Sequence, residues 1–176
     1  MRIITGQYKG RHFEIPRTFK ARPTTDFAKE NLFNVLRGYV DFDGATALDL
    51  FAGTGSISLE LVSRGCRRVV SVEADRDHAH FIRQCFDKLG TDRDVLVRGD
   101  VFRFLKKGGQ PFDIVFADPP YALPELPLVP DLVLSGGWLA PGGVFVFEHS
   151  RKQDFSGHPR FKEHRSYGSV NFSFFA

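Results

Sequence analysis

Residues 48–55, Leu48-Asp49-Leu50-Phe51-Ala52-Gly53-Thr54-Gly55, lead from an apolar run into a glycine-rich turn, and a helical pattern follows from Ser56. Glycines at a strand-to-helix turn let the backbone approach a ligand, and the free N–H groups of the next helix attract its negative or electron-rich atoms. A tight turn without a ligand would give the same pattern if the two glycines stood alone. A dinucleotide-binding loop would carry a third glycine where this chain has Ser58. The stretch therefore predicts an α/β fold with a ligand loop and disfavours a dinucleotide.

From residue 45 onward, short apolar runs alternate with amphipathic segments. The runs at 69–72, 114–117 and 144–147 are continuous enough to be typical of strands buried on both faces. The alternation predicts a doubly wound, mostly parallel sheet covered by helices. We expect strands at 45–52, 68–74, 94–98, 112–117 and 143–148, and helices at 56–64, 75–89, 101–106 and 125–134.

The two ends of the chain differ from this central pattern. Residues 161–165 and 169–175 leave no room for a helix between them, which predicts an antiparallel strand pair at one edge of the sheet. Residues 2–15 alternate loosely around two glycines, which predicts a short hairpin or a bulged extension ahead of the main fold. We therefore expect a basic N-terminal β-hairpin extension over residues 1–22 and one α/β domain over residues 23–176.

The composition suits a single soluble globular domain. Of 176 residues 42% are apolar, and 24 Lys and Arg against 21 Asp and Glu give a formal charge of +3. The sequence has no uninterrupted apolar run of roughly 18 residues and no apolar h-region near Met1, so we predict a cytoplasmic protein that does not contact a membrane. Cys66 and Cys85 stand at no spacing typical of a metal site or a disulfide framework, which predicts two buried thiols and no metal.

Basic residues are concentrated in the first 22 residues, where six Lys and Arg stand against one acid, Glu14. A solvated surface would explain such a run, and so would a footprint for a phosphate backbone. Under the second hypothesis, the residues that contact phosphates are Lys9, Arg11, Arg17 and Arg22.

Acidic residues end two further predicted strands. Glu73 follows Gly55 by eighteen residues, and in doubly wound folds a carboxylate at this place accepts hydrogen bonds from the hydroxyls of a ribose. Asp100 ends the third strand, where its carboxylate could accept from an adenine amino group. An exposed acid or a helix N-cap would explain either residue alone. Together with the glycine turn, the two acids predict one nucleoside pocket.

The tetrapeptide Asp118-Pro119-Pro120-Tyr121 follows the apolar run at 112–117. Two prolines fix φ and remove two backbone donors, so the turn presents mainly acceptors, namely the Asp118 carboxylate and the Pro119 carbonyl. Two acceptors suit a planar amine with two protons to donate, and Tyr121 beside them can stack on a heterocycle. A plain turn would explain Pro-Pro alone, but the flanking acid and aromatic ring favour a site for an amine.

These two motifs resemble the cofactor loop and catalytic motif of amino methyltransferases that use S-adenosylmethionine. Over its whole length the chain resembles the bacterial 16S ribosomal RNA guanine-N2 methyltransferase family. That family has a class I methyltransferase (Rossmann-like) fold, with a seven-stranded sheet, an antiparallel last strand and a basic extension before it. The stretches that carry the resemblance are 22–26, 32–34, 48–55, 118–121 and 167–168.

The resemblance implies a role for each matching position. Asp49, Gly53 and Gly55 would line the methionine part of S-adenosylmethionine, Glu73 its ribose and Asp100 its adenine. We also expect Phe51 and Val101 to lie beside the cofactor. Residues Asp118, Pro119, Pro120 and Tyr121 would hold the target base and carry catalysis.

We predict a monomeric enzyme that methylates the N2 amine of a guanine in 16S ribosomal RNA, either naked or in a partly assembled small subunit. An adenine-N6 methyltransferase acting on DNA is the nearest alternative, because the same acceptors would hold that amine. A noncatalytic RNA-binding protein on the same fold is a second alternative. A nicotinamide-dependent oxidoreductase is disfavoured, since the loop lacks its third glycine.

Overall fold

Strands and helices alternate along the chain in the computed structural model, which describes residues 1–21 and 23–176. The strands are β1 (Thr46–Leu50), β2 (Arg68–Glu73), β3 (Asp94–Arg98), β4 (Phe112–Ala117), β5 (Leu139–His149), β6 (Phe161–Tyr167) and β7 (Val170–Phe175). The α-helices are α1 (Asp26–Leu36), α2 (Ser56–Ser63), α3 (Arg76–Leu89), α4 (Val101–Lys106) and α5 (Val129–Ser135).

The seven strands form one sheet in the order β3-β2-β1-β4-β5-β7-β6. Neighbours from β3 to β5 run parallel, whereas β7 runs antiparallel to both β5 and β6. The order reverses at the boundary between β1 and β4, and open α/β sheets bind ligands beyond the carboxyl ends of their strands at such a crevice. The predicted doubly wound sheet, with an antiparallel pair at one edge, is confirmed.

Helices cover both faces of this sheet, as strands apolar on both faces require. One face, which includes Ala47 and Phe116, packs against α1, α2 and α3. The other, which includes Leu48 and Phe145, packs against α4 and α5. Cys66 and Cys85 are both buried, and burial raises the pKa of each thiol to about 12, so they act as small apolar residues. Within residues 1–21 and 23–176, none of the helices is long and apolar enough to cross a membrane.

Prolines explain the main difference in the helices. The predicted helix at 125–134 is split into a 3-10 turn at Leu126–Leu128 and the short helix α5. Pro127 and Pro130 lie in the first turn of the 3-10 segment and of α5, respectively. Because proline lacks an N–H and clashes with the preceding turn, it is tolerated at a helix start but not inside a continuous helix.

The N-terminal segment folds back on itself as a short, irregular hairpin, in which Ile3 N–H donates to the Arg11 carbonyl and Phe13 N–H to the Met1 carbonyl, each at 2.9 Å. Within residues 1–21, its β pairing is one isolated antiparallel bridge between Arg2 and His12. The N–H groups of Ile4 and Thr5 donate to the Glu60 carboxylate in α2, at 2.8 and 3.1 Å, and so tie the segment to the domain. The predicted hairpin is thus present in reduced form, with antiparallel backbone pairing but no regular strands within residues 1–21.

A buried ammonium group ties this segment to the rest of the fold. Lys29 in α1 is only 1% exposed, and its Nζ donates to the Arg2 carbonyl (2.7 Å) and to Ser56 Oγ (3.0 Å). The same Nζ lies 3.6 Å from the Glu60 carboxylate, which also pairs with Arg64 at 2.8 Å. A buried charge is tolerated when it is paired and hydrogen-bonded in this way. Since Ser56 opens α2, the cluster joins the N-terminal segment to the end of the glycine turn.

Candidate active site

A pocket of about 840 Å³ lies at the carboxyl ends of the central strands. Its walls include predicted residues from four places in the sequence, so the fold brings the glycine turn, both strand-end acids and the proline tetrapeptide together. The predicted residues that line it are Asp49, Phe51, Gly53, Glu73, Asp100, Val101, Asp118, Pro119, Pro120 and Tyr121. Gly55 lies just behind this wall as the N-cap of α2.

The glycine turn depends on backbone angles that side chains rarely adopt. Gly53 and Gly55 have φ of 60° and 79°, and Phe51 has φ of 59° despite its side chain. A Cβ on Gly55 would stand 3.0 Å from Ile82 Cγ1, whereas a Cβ on Gly53 would meet Ala21 only at 3.6 Å. Gly55 is therefore required for packing as well as for its φ angle, while Gly53 is required mainly for its φ angle and leaves open space for a ligand.

Ser58 stands where a dinucleotide loop has its third glycine, and its hydroxyl is part of a buried hydrogen-bond network. Its Oγ lies 2.6 Å from Asp49 Oδ2 and 2.7 Å from Ser71 Oγ, and Ser71 continues to Asp94 at 2.9 Å. The row from Asp49 through Ser58 and Ser71 to Asp94 contains three hydrogen bonds, but the two hydroxyls supply only two protons. The third proton must be on the carboxyl group of Asp49 or Asp94. Burial raises the pKa of Asp49 to about 7 and that of Asp94 to about 6, which supplies it.

Glu73 is fixed by backbone donors at the edge of the pocket. Its Oε1 accepts from Gly53 N–H at 2.7 Å, and its Oε2 accepts from Asp75 N–H at 2.8 Å. His78 stands beside it, with Nδ1 3.9 Å from Oε2. Each carboxylate oxygen has a second acceptor site, so Glu73 keeps the capacity to accept two ribose hydroxyls.

Asp100 caps helix α4 and also lines the pocket. It is the N-cap of α4, where its Oδ1 accepts from Arg103 N–H at 2.9 Å. The residue is exposed, and its neighbour Val101 is buried against the sheet. The capping bond uses one of its two oxygens, so the other remains an acceptor.

Asp118 lies next to a second carboxylate, Glu148, that the sequence analysis did not select. Strands β4 and β5 pair in parallel with Ala117 opposite Phe147, so the two acids stand one position further on, side by side. Burial raises the pKa of Asp118 well above its ordinary value, and the neighbouring charge of Glu148 adds to the rise. Burial also raises the pKa of Glu148, and the two carboxyl groups are hydrogen-bonded to each other. Such a bond requires one shared proton.

The proline corner presents free acceptors to the pocket. The Pro120 carbonyl accepts from Leu123 N–H at 3.0 Å, whereas the Pro119 carbonyl receives no hydrogen bond from residues 1–21 or 23–176. Tyr121 is 44% exposed, and its hydroxyl donates to Glu148 Oε2 at 2.9 Å. The phenol is thereby held at the mouth of the pocket, where its ring can contact a planar base.

Three further residues that line the pocket, Glu148, Lys20 and His78, were not predicted from the sequence. Glu148 ends an apolar run as Glu73 does, and that shared pattern could have identified it. Lys20 lines the pocket from the N-terminal segment, and His78 does so from α3. Phe19 packs on the His78 ring at a centroid distance of 4.6 Å, which brings Lys20 to the pocket.

Two of the predicted RNA contacts lie away from the pocket. Arg11 donates to the carbonyl of Lys88 near the C-terminal end of α3, at 3.0 Å, and Lys9 lies in the same exposed turn. The pocket instead meets the N-terminal end of α3 at Asp75. With 14 residues, α3 is about 21 Å long, so these cations stand far from the proline corner. Together they mark a separate basic surface.

The other two predicted contacts have different outcomes. Arg17 is exposed and precedes by two residues Phe19, which packs on the pocket residue His78. Arg22 lies outside the described residues.

Known proteins are similar to this chain over most of its length. The model of the family described as "Conserved hypothetical protein 95" matches residues 1–176. The Ribosomal RNA small subunit methyltransferase D of Escherichia coli K12 is 34% identical over 148 residues, covering 84% of this chain and 74% of that protein. Its namesake in Haemophilus influenzae is 32% identical over 152 residues, covering 84% and 78%.

A solved structure is also similar to this chain over almost its whole length. The Escherichia coli protein yhhF superposes with a TM-score of 0.87 at 30% identity, covering 99% of this chain and 96% of that one. Since the family model spans the chain and the identity to curated relatives exceeds 30%, the resemblance stated from the motifs is confirmed. The chain belongs to the Conserved hypothetical protein 95 family and is similar throughout to the small-subunit ribosomal RNA methyltransferase D proteins.

Proposed function

We propose that this protein transfers a methyl group from S-adenosylmethionine to the N2 amine of a guanine in 16S ribosomal RNA. One observation carries the proposal: the glycine turn and the proline corner open into the same pocket. An electrophilic methyl group and a pinned amine can then meet without either motif moving. The relatives named as small-subunit ribosomal RNA methyltransferases support the choice of RNA as the substrate.

The residues of the pocket fit this cofactor. A volume of about 840 Å³ lies within the range of roughly 300–1,000 Å³ for ligand pockets. Asp49, Gly53 and Gly55 would hold the methionine part, Glu73 the ribose, and Asp100 the adenine. When bound, S-adenosylmethionine supplies a methyl group activated by a positive sulfonium.

The acceptors at the proline corner suit the substrate amine. The nitrogen lone pair of N2 is conjugated into the guanine ring, so attack on a methyl carbon requires the nitrogen to become pyramidal. Hydrogen bonds from its two protons to Asp118 and the Pro119 carbonyl would orient the lone pair and favour that change. As the new N–C bond forms and the S–C bond breaks, the nitrogen becomes a strong acid and loses one proton to a carboxylate or to water.

The target base must leave its stack to reach this pocket. Single-stranded or loop nucleotides are extruded more easily than paired ones, and Tyr121 would cover the exposed face of the base. We propose that Lys9, Arg11, Arg17 and Arg22 grip phosphates of the surrounding RNA, which gives the extension at 1–22 its role beside the methyltransferase domain at 23–176. The substrate is naked RNA or a partly assembled subunit, and the enzyme acts as a cytoplasmic monomer.

Labelled nucleosides test the proposal. The protein is incubated with S-adenosylmethionine carrying an isotopic methyl group and with small ribosomal subunits that lack the modification. Digestion and mass analysis should recover the label in N2-methylguanosine at one position. The label in N6-methyladenine of DNA would favour the alternative enzyme, and tight cofactor binding without transfer would favour a noncatalytic protein.

A further inference from the structure

We propose that Glu148 accepts the N1–H of the target guanine and thereby makes the site choose guanine over adenine. This inference rests on the proposed function, and it assigns a specificity residue to the same pocket. The Asp118-Pro119-Pro120-Tyr121 corner by itself holds the exocyclic amine of either base equally well. A second, differently placed acceptor is needed to distinguish them.

The position of Glu148 follows from strand register. In the parallel pair of β4 and β5, Phe116 stands opposite Val146 and Ala117 opposite Phe147. Side chains of paired residues project to the same face of a sheet, and Asp118 and Glu148 follow as the next pair. Both line the pocket, and Glu148 is only 8% exposed. A base whose amine reaches Asp118 therefore presents the atoms next to that amine to Glu148.

The two purines differ in the atoms beside their amines. In guanine, N2 is flanked by N1, which carries a hydrogen, and by N3, which accepts. In adenine, N6 is flanked by N1, which only accepts. An ionised carboxylate can only accept hydrogen bonds. Glu148 therefore matches the N1–H of guanine and repels the N1 lone pair of adenine.

The contacts of Glu148 leave an oxygen for this role. The Tyr121 hydroxyl donates to Oε2 at 2.9 Å, and this bond fixes the carboxyl group. The remaining contact is with Asp118, and it depends on a proton shared between two acids. A guanine offers three N–H hydrogens: N1–H can donate to the free oxygen of Glu148, and the two on N2 can donate to Asp118 and the Pro119 carbonyl, while the shared proton stays between the two acids. An adenine offers two, both on N6, and its N1 lone pair would face the Glu148 carboxylate in place of a donor.

RNA carrying 2-aminopurine tests the assignment. This base keeps the reactive amine at position 2, but it lacks O6 and its N1 has a lone pair in place of a hydrogen, so the change of preference in a Glu148 variant isolates the N1 contact. The position methylated in the subunit is first mapped, and matched RNAs with guanine or 2-aminopurine there are then assembled by ligation. We expect the wild type to prefer guanine by about 100-fold in kcat/KM, because a buried polar group left unpaired is strongly disfavoured.

The variant Glu148→Gln should reduce that preference to less than about tenfold. The glutamine side chain keeps the shape and the oxygen that accepts from Tyr121, and its amide can donate to an N1 lone pair. The matched control is Glu163→Gln, since Glu163 accepts from Tyr39 at 2.8 Å in another Tyr–Glu pair, outside the pocket. The control should keep the preference of the wild type.

Three results are decisive against the assignment. Equal rates of the wild type on guanine and 2-aminopurine would overturn it without any variant. An unchanged preference in Glu148→Gln, with guanine still labelled, would overturn it while leaving the proposed function intact. Label in a nucleoside other than guanine, with the wild type on unmodified subunits, would instead refute the proposed function and the inference with it.

Discussion

The Oε1 atom of Glu73 accepts a hydrogen bond of 2.7 Å from the backbone N–H of Gly53. This bond joins the end of β2 to the glycine turn after β1, and it sets the carboxylate before any ligand binds. The same side chain accepts from Asp75 N–H at 2.8 Å. A ribose would meet an acceptor already held in place.

Removing this carboxylate should weaken cofactor binding. We expect Glu73→Ala to raise the Kd for S-adenosylhomocysteine by about 10- to 100-fold, because hydrogen bonds to a charged acceptor contribute about 1.5–3 kcal/mol each. Titration calorimetry measures the change, and the exposed Glu30→Gln serves as the control. An unchanged Kd in a folded Glu73→Ala protein would remove Glu73 from the cofactor site.

Asp118 should be needed for chemistry and not for cofactor binding. Asp118→Ala removes an acceptor for the amine, and we expect kcat to fall by at least about 10³-fold, the upper range for one preorganised electrostatic contact. The affinity for S-adenosylhomocysteine should persist, because the glycine turn and Glu73 are untouched. Methyl transfer at nearly the normal rate would reject the role of the proline corner.

The proton on the Asp49 network should appear in the dependence of stability on pH. The pKa of Asp49 is about 7 in the folded protein and near 3.8 when unfolded, so the folded state binds the extra proton between these values. Stability from this group is full below about pH 4 and is lost as the pH rises toward 7. One proton contributes a slope of about 1.4 kcal/mol per pH unit.

Asp49→Asn should remove that slope. Urea unfolding between pH 4 and 8 should show a smaller loss of unfolding free energy for the variant than for the wild type. Asp87→Asn, on the exposed side of α3, should keep the slope of the wild type. If the unfolding free energies of Asp49→Asn and of the wild type change in parallel with pH, another group holds the proton.

RNA binding should depend on salt through the N-terminal cations. Neutralising Lys9 and Arg11 together should flatten the plot of log K against log salt by roughly 1.4 to 1.8, which corresponds to two phosphate contacts. A matched comparison is Arg76→Ala with Arg83→Ala, which line a separate groove between α3 and β3. If only the second pair changes the slope, the RNA lies along α3 and not on the N-terminal turn.

Local chemistry made much of this fold predictable. β3, α4 and β4 have the predicted bounds, because β3 and β4 follow turns and α4 begins at a capping acid, Asp100. The glycine turn and the proline corner reach one pocket, as the order of strand ends implied. In these places a few residues within or next to each segment determine where it begins or ends.

Tertiary contacts determine the features of the fold and of the site that the sequence did not predict. The short N-terminal hairpin is held to the domain by hydrogen bonds with Glu60, a residue 56 positions after Ile4, and no local pattern reports such a partner. Glu148 was missed for a similar reason, since its importance arises from standing beside Asp118 across two strands. Arg11 was predicted to contact RNA phosphates, and its hydrogen bond to the Lys88 carbonyl places it near the C-terminal end of α3, a position that no local pattern reports.

Two adjacent pyrrolidine rings, Pro119 and Pro120, restrict the corner that would receive the base. The closed rings fix the φ angles of both prolines in every state of the chain, including the unfolded one. The proline corner therefore loses little conformational freedom when the target base binds. The nucleotide, which must rotate out of its helix, bears most of the ordering instead. Association should therefore be governed by how readily the RNA opens at the target, and a permanently unstacked nucleotide should dock fastest.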